Sequence, residues 1–195
     1  MDAKKELMEE LIAEVNVCRK CQLWRHAKNA VPGEGSLDAQ VMFIGEAPGY
    51  WEDLKGRPFV GAAGRLLDEL LSSIGLRREE VYIGNVVKHR PPGNRDPKPD
   101  EVEACTPYLD RQIKIIQPKV LVTLGRHSTG YIFSRVGLKF RGITEVRGRV
   151  YLKRLFGMPI QILPMFHPAA ALYNPNYKVV LAEDFKRLRA ILESL

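Results

Sequence analysis

The sequence predicts an α/β fold, a single domain with a central four-stranded parallel sheet flanked by helices, and three observations carry that expectation. Four short apolar runs, Val41-Met42-Phe43-Ile44, Val81-Tyr82-Ile83, Val120-Leu121-Val122-Thr123-Leu124 and Ile160-Gln161-Ile162-Leu163, are bounded by Gly, Pro and charge, the pattern of strands buried on both faces. Segments with helical spacing stand between them, and strands alternating with helices imply parallel pairing through right-handed crossovers. Finally, Gly45-Glu46-Ala47-Pro48-Gly49, Asn85 and His167-Pro168 fall at or near the carboxyl ends of three runs, and a fourth run ends at Gly125. In an open α/β sheet that edge is where ligands bind.

The elements follow in order. A helix is predicted over about 4–15, with apolar Leu7, Met8, Leu11, Ile12 and Val15 at helical spacing. A second, over about 63–74, carries Leu66, Leu67, Leu70, Leu71 and Ile74, and Gly75 is its stop. Asp100 is read as the cap of a third that runs toward Ile116 and ends before Pro118. The last begins after Pro175 and continues to the C-terminus, with Val179, Val180, Leu181, Phe185, Leu188, Ile191 and Leu192 facing inward. No repeat, low-complexity segment or linker divides the chain, so residues 1–195 read as one domain.

At 195 residues and 45% hydrophobic content the chain can bury a real core. No apolar run of about 18 residues is present to span a membrane. The start, Met1-Asp2-Ala3-Lys4-Lys5-Glu6, does not resemble a secretory signal, so a cytoplasmic protein is expected. A net charge of +7 favours a polyanionic partner. Three cysteines occur, two of them in Cys18-x-x-Cys21 just after the first helix, a spacing that fits zinc, iron–sulfur or a redox disulfide. The expected compartment disfavours the disulfide.

The motifs are more specific. Gly45-Glu46-Ala47-Pro48-Gly49, followed by Glu52-Asp53, Gly56-Arg57-Pro58-Phe59-Val60-Gly61 and Gly64, closely resembles the first motif of the family 4 uracil-DNA glycosylases. Asn85-Val86-Val87-Lys88, running into Arg90-Pro91-Pro92-Gly93-Asn94-Arg95, and His167-Pro168-Ala169-Ala170-Ala171-Leu172 resemble its later motifs, and the similarity extends from Cys18 to about Lys186. The resemblance implies the three-layer sandwich of the uracil-DNA glycosylases. It also implies base excision repair: a flipped uracil is cut from single- or double-stranded DNA, without lyase activity, by an enzyme expected to act as a nucleoid-associated monomer.

It further implies roles, each of which suits the residue type. A glycosylase extrudes its nucleotide, recognises the base edge and lets the base leave as an anion. Phe59 would stack on uracil. Asn85 would accept from N3–H and donate to O4, a pattern that cytosine reverses; on its own an Asn at a strand end reads as a turn-maker. Glu52 would lie against C5 and exclude thymine, and Gly45 and Gly49 would offer backbone N–H groups to the base. His167 would donate to O2 as charge grows there. In family 1 an aspartate of the corresponding turn positions water, whereas Ala47 cannot, so a dissociative path with an oxocarbenium-like sugar is expected. Glu46 would either steady that sugar or brace the turn. His26 and His127 match no motif and read as structural.

The family binds a [4Fe–4S] cluster through four cysteines. Cys18, Cys21 and Cys105 match three positions, and His89 stands where the fourth is expected, before Arg90-Pro91-Pro92. The resemblance then implies a cluster with His89 as fourth ligand, since imidazole ligates iron in Rieske centres. A three-cysteine [3Fe–4S] site and a Cys3His zinc site stay open. Lys88, Arg90, Asn94 and Arg95 form a basic Pro/Gly-rich loop suited to phosphates. Leu172 or Tyr173 would fill the gap left by the extruded base.

Overall fold

A computed structural model describes residues 2–195. In chain order the elements are α1 (Ala3–Asn16), β1 (Glu34–Gly35), β2 (Val41–Gly45), α2 (Tyr50–Lys55), α3 (Ala62–Ser73), β3 (Tyr82–Asn85), α4 (Pro99–Ile116), β4 (Val120–Leu124), α5 (Arg126–Arg135), α6 (Ile143–Val146), β5 (Tyr151–Leu155), β6 (Met158–Met165), α7 (Pro168–Ala171) and α8 (Pro175–Glu193). The sheet has six strands in the order β1-β3-β2-β4-β6-β5. Its four central strands are parallel, as the apolar runs predict, and the sequence reading did not anticipate β1 and β5, which pair antiparallel at the two edges.

Strand alternation decides which side chain meets which layer. Met42 and Ile44 join a cluster with Met8, Leu11 and Val15 of α1, Leu109 and Ile113 of α4, and Ile132 and Phe133 of α5. Val41 and Phe43 point the other way, into a cluster with Leu66, Leu67, Leu70 and Leu71 of α3 and Leu181, Phe185 and Leu188 of α8. Phe43 and Phe185 stack at 5.8 Å. Helices thus cover both faces, the layering that a sheet with two apolar faces requires.

Two local expectations change. Asp100 does not cap α4: Lys98 is the cap residue, Pro99 takes the first helical position where its missing N–H costs nothing, and Glu101 reaches back to the Lys98 N–H at 2.8 Å. Val179 is 60% exposed rather than inward-facing, so the buried stripe of α8 is narrower than its apolar spacing.

After β2 the chain builds β3 on one side of it and then β4 on the other, so the strand order reverses beside β2. That reversal opens a crevice at the carboxyl ends of β2, β3, β4 and β6, where Gly45, Asn85, Gly125 and His167 meet.

Candidate active site at the sheet edge

The parallel register sets Gly45 opposite Asn85 and continues past the strands, with Val86 N–H donating to Gly45 O at 3.0 Å and Val87 N–H to Glu46 O at 3.1 Å. A narrow cavity of about 50 Å³ opens there, lined by Ala47, Glu52, Phe59, Ala63, Gly64, Asn85 and His167. Residues 120 positions apart in sequence share this slot.

Its walls are close-fitted. A Cβ at Gly45 would lie 2.4 Å from Asn85 Oδ1 and 2.8 Å from the Phe59 ring, so glycine is what lets the amide and the aromatic face each other. Phe59 is buried with φ at +49°, a conformation that bulky residues rarely adopt. Gly64 makes room for it: a Cβ there would fall 1.9 Å from Phe59 O. The Phe59 ring stacks on His167, with centroids 5.4 Å apart and planes at 23°.

His167 is held in one tautomer. As cap of α7 its Nδ1 accepts from the Ala169 N–H at 3.0 Å, so in the neutral ring the proton sits on Nε2, free to donate. Burial pushes its pKa down to about 4, with the Glu52 charge opposing, and the imidazole is neutral at neutral pH.

Glu52 does more than line the slot. Its carboxylate accepts from the N–H groups of Gly49 (3.0 Å), Val60 (2.9 Å) and Gly61 (2.9 Å), clamping the Gly45–Gly49 turn to the Phe59 loop. The Gly49 N–H, expected to serve a ligand, is engaged by this clamp.

Glu46 is not among the residues lining the slot. Its half-buried carboxyl enters a neighbouring cavity, where Glu46 Oε2 is 3.8 Å and Asp96 Oδ1 3.5 Å from His127 Nε2. Among the described residues this is the one set of three whose donor atoms all lie within 4.8 Å of one another. Burial raises the Glu46 pKa, and the His127 charge opposes that rise. Asp96 and His127 carry no motif, and the expectation of a merely structural His127 does not include this grouping; only their fold positions, beside the Arg90 loop and at the start of α5, bring them to Glu46.

The basic loop is less available than its composition implies. Lys88 is 1% exposed, and its Nζ donates to Asn85 O at 2.8 Å and Gln112 Oε1 at 2.7 Å. Burial lowers its pKa to about 8, and the ammonium holds the end of β3 rather than facing a phosphate. Arg95 is engaged in a two-pronged pair with the buried carboxylate of Glu101, at 2.7 and 2.9 Å. Arg90, bonded through Nε to Asn94 Oδ1 at 2.6 Å, stands nearer the surface, as do Leu172 and Tyr173, the latter 90% exposed.

A second site lies under the same loop. Cys18 and His89 face one cavity, and the Lys88 N–H donates to Cys105 Sγ at 3.2 Å. Burial raises the thiol pKa of Cys21, and that of Cys105 to about 11, so without a cation both thiols are protonated at neutral pH. Burial lowers the pKa of His89 while the Asp53 charge opposes, which favours the neutral ring that ligates metals. Asp53 also accepts from the Lys28 N–H at 2.8 Å and the Asn29 N–H at 3.2 Å, tying the chain after Cys21 to α2. Among the described residues no three of these four side chains have their ligand atoms within 4.8 Å of one another.

A helix-covered sheet gathers an amide, an aromatic wall and a neutral imidazole at its topological switch, the place where α/β enzymes bind their ligands. Residues 32–193 match the uracil DNA glycosylase superfamily, and the chain belongs to it, among the type-4 uracil-DNA glycosylases. It is 56% identical to the type-4 uracil-DNA glycosylase of Sulfurisphaera tokodaii over 98% of this chain and 86% of that protein. Identity to the type-4 enzyme of Archaeoglobus fulgidus is 50% over 94% of this chain and 92% of that one, and to that of Thermotoga maritima 44% over 99% and 98%.

Proposed function

We infer that this chain is a repair glycosylase that flips uracil out of DNA, hydrolyses its N-glycosidic bond and leaves an abasic site, as one domain acting as a monomer on single- or double-stranded DNA. The observation that carries this reading is the slot, in which Asn85, Phe59 and a single-tautomer His167 converge. Phe59 stacks on the base. Asn85 accepts from N3–H and donates to O4. As the C1′–N1 bond breaks, its electron pair goes to the base, and Nε2–H of His167 donates to the O2 on which the charge collects. A neutral donor suits this task because its hydrogen bond strengthens only as that charge develops. Water then adds to C1′ of the oxocarbenium-like sugar and gives up a proton, with no side chain on Ala47 to polarise it.

Glu52 excludes the thymine methyl group and at the same time fixes the turn, since one carboxylate serves both. Glu46 braces the turn rather than the base, a role supported by its absence from the slot and its company with His127 and Asp96. Arg90 and Asn94 meet phosphates, and Leu172 or Tyr173, exposed after α7, fills the vacated stack.

Cys18, Cys21, Cys105 and His89 would hold a [4Fe–4S] cluster; half-buried Cys18 and Cys21, buried Cys105 and His89, and the N–H donated to Cys105 Sγ support a ligand corner there, and the family resemblance favours a cluster over Cys3His zinc. Such a cluster supplies cross-linking rather than redox chemistry, because cleaving a glycosidic bond transfers no electrons. It ties α1 and the CxxC segment to the loop after Asn85 and to α4.

The test is base release from oligonucleotides carrying uracil, hypoxanthine or a G·T mismatch. Uracil alone is released, leaving an alkali-labile abasic site. Preferential release of hypoxanthine would instead assign the slot to deaminated purines.

A further inference from the structure

We propose that Trp51, buttressed by Tyr50, is a stacking platform for an unpaired nucleobase next to the flipped nucleotide, an inference that rests on the glycosylase reading above. Tyr50 and Trp51 open α2 and are 50% and 51% exposed, although rings of this size are ordinarily well buried. Their rings meet edge to face, with centroids 5.1 Å apart and planes at 90°, so each packs against the other at the surface. The guanidinium carbon of Arg90 lies 5.5 Å from the Tyr50 ring centroid, which places a cation of the DNA-facing loop against the pair.

The pair is continuous with the slot. A Cβ at Gly61 would lie 3.3 Å from Trp51 Cδ1 and 3.5 Å from Glu52 Oε2, so the indole and the slot's carboxylate rest on the same stretch of backbone. A strand that delivers its uracil to the slot must pass its neighbouring nucleotides over this rim, and extrusion leaves those neighbours without a stacking partner. An exposed indole beside a cation fits that occupant: bases stack on aromatics whatever their sequence, while the guanidinium draws the backbone. The Arg90 guanidinium against the Tyr50 ring favours a polyanion over an apolar protein segment at this rim.

The chain has two tryptophans, so a Trp24→Phe background leaves Trp51 as the sole indole reporter. The probes are single-stranded oligonucleotides with a tetrahydrofuran abasic analogue at the target position, which bind without being cleaved. One version keeps its flanking bases, and the other has them replaced by the same analogue. We expect Trp51 fluorescence to be quenched by the first and little by the second. Trp51→Ala weakens binding of the first by about fivefold or more and of the second by less than about twofold, and Trp51→Phe restores most of the loss. Equal weakening of both, no weakening, or quenching that ignores the flanking bases overturns the platform. Thermal unfolding checks the variants, and Trp51→Leu, which keeps bulk beside Gly61 without a π face, replaces Trp51→Ala if that variant loosens the turn. Wild-type protein that releases uracil but shows base-independent binding refutes the platform alone, whereas wild-type protein that releases no uracil refutes the glycosylase reading.

Discussion

The imidazole of His167 shows how one side chain receives its chemistry from its neighbours. Ala169 N–H occupies Nδ1, Phe59 covers one face, and enclosure keeps the ring neutral, with a pKa lowered to about 4. The linkage follows in sign: a histidine with a depressed folded pKa contributes stability above its unfolded value near 6.5, and that contribution is lost as pH falls from there toward 4. Single-turnover uracil release is therefore expected to show no His167 titration between pH 5 and 8. His167→Ala lowers that rate by about 100-fold or more, the usual cost of one oxyanion donor, with little change in DNA affinity. Rapid-quench kinetics beside equilibrium binding checks this, and equal losses in rate and affinity would make the histidine structural.

Individual elements make two further commitments. The β2–β3 register sets Gly45 opposite Asn85, and the methyl group of Gly45→Ala would press on Asn85 Oδ1 and the Phe59 ring. That variant is expected to shift the buried Asn85 amide and Phe59 ring, with some loss of stability, and to lose uracil release by at least about 100-fold, the scale set by misplacing reacting groups by about an ångström. Circular dichroism with the cleavage assay separates the two effects. The corner joining α1 to α4 commits to His89. Anaerobically purified protein is expected to be brown, with about four irons. His89→Ala sheds one iron or the whole cluster, while His89→Cys keeps it at a lower reduction potential, since thiolate is anionic where imidazole is neutral. Colourless protein with one zinc, or iron content indifferent to His89→Ala, would contradict the assignment; three irons in the wild-type chain would point to a three-cysteine site.

At the scale of the whole molecule, what was legible in the sequence was what long apolar periodicity and dense motifs encode. The four parallel strands, the helices α1, α3, α4 and α8 and the walls of the slot fall in that class. What escaped was short or polar. Glu34–Gly35 is too brief for any period, Tyr151–Leu155 carries Lys153 and Arg154 on an edge, and α5 buries Ser128 and Thr129, whose hydroxyls bond to Leu124 O at 3.0 Å and Gly125 O at 2.7 Å. Lys88 is buried for a related reason: a cation in a basic loop looks solvated until the fold supplies Gln112 and the Asn85 carbonyl. The Glu46–His127–Asp96 grouping is invisible in sequence because it joins three segments that only the sheet's switch point brings together.

The proposal that the slot sets a uracil-reading amide, Asn85, beside a neutral donor, His167, is checked most directly by single-turnover release of free base from a uracil-containing oligonucleotide by the wild-type chain and by Asn85→Asp. The wild type is expected to release uracil, and the variant to lose most of that activity, by about 100-fold or more, because a repulsive acceptor replaces the donor to O4. Weak release of cytosine by the variant agrees with the same edge recognition. Undiminished uracil release by Asn85→Asp, or no release by the wild-type protein, would contradict it.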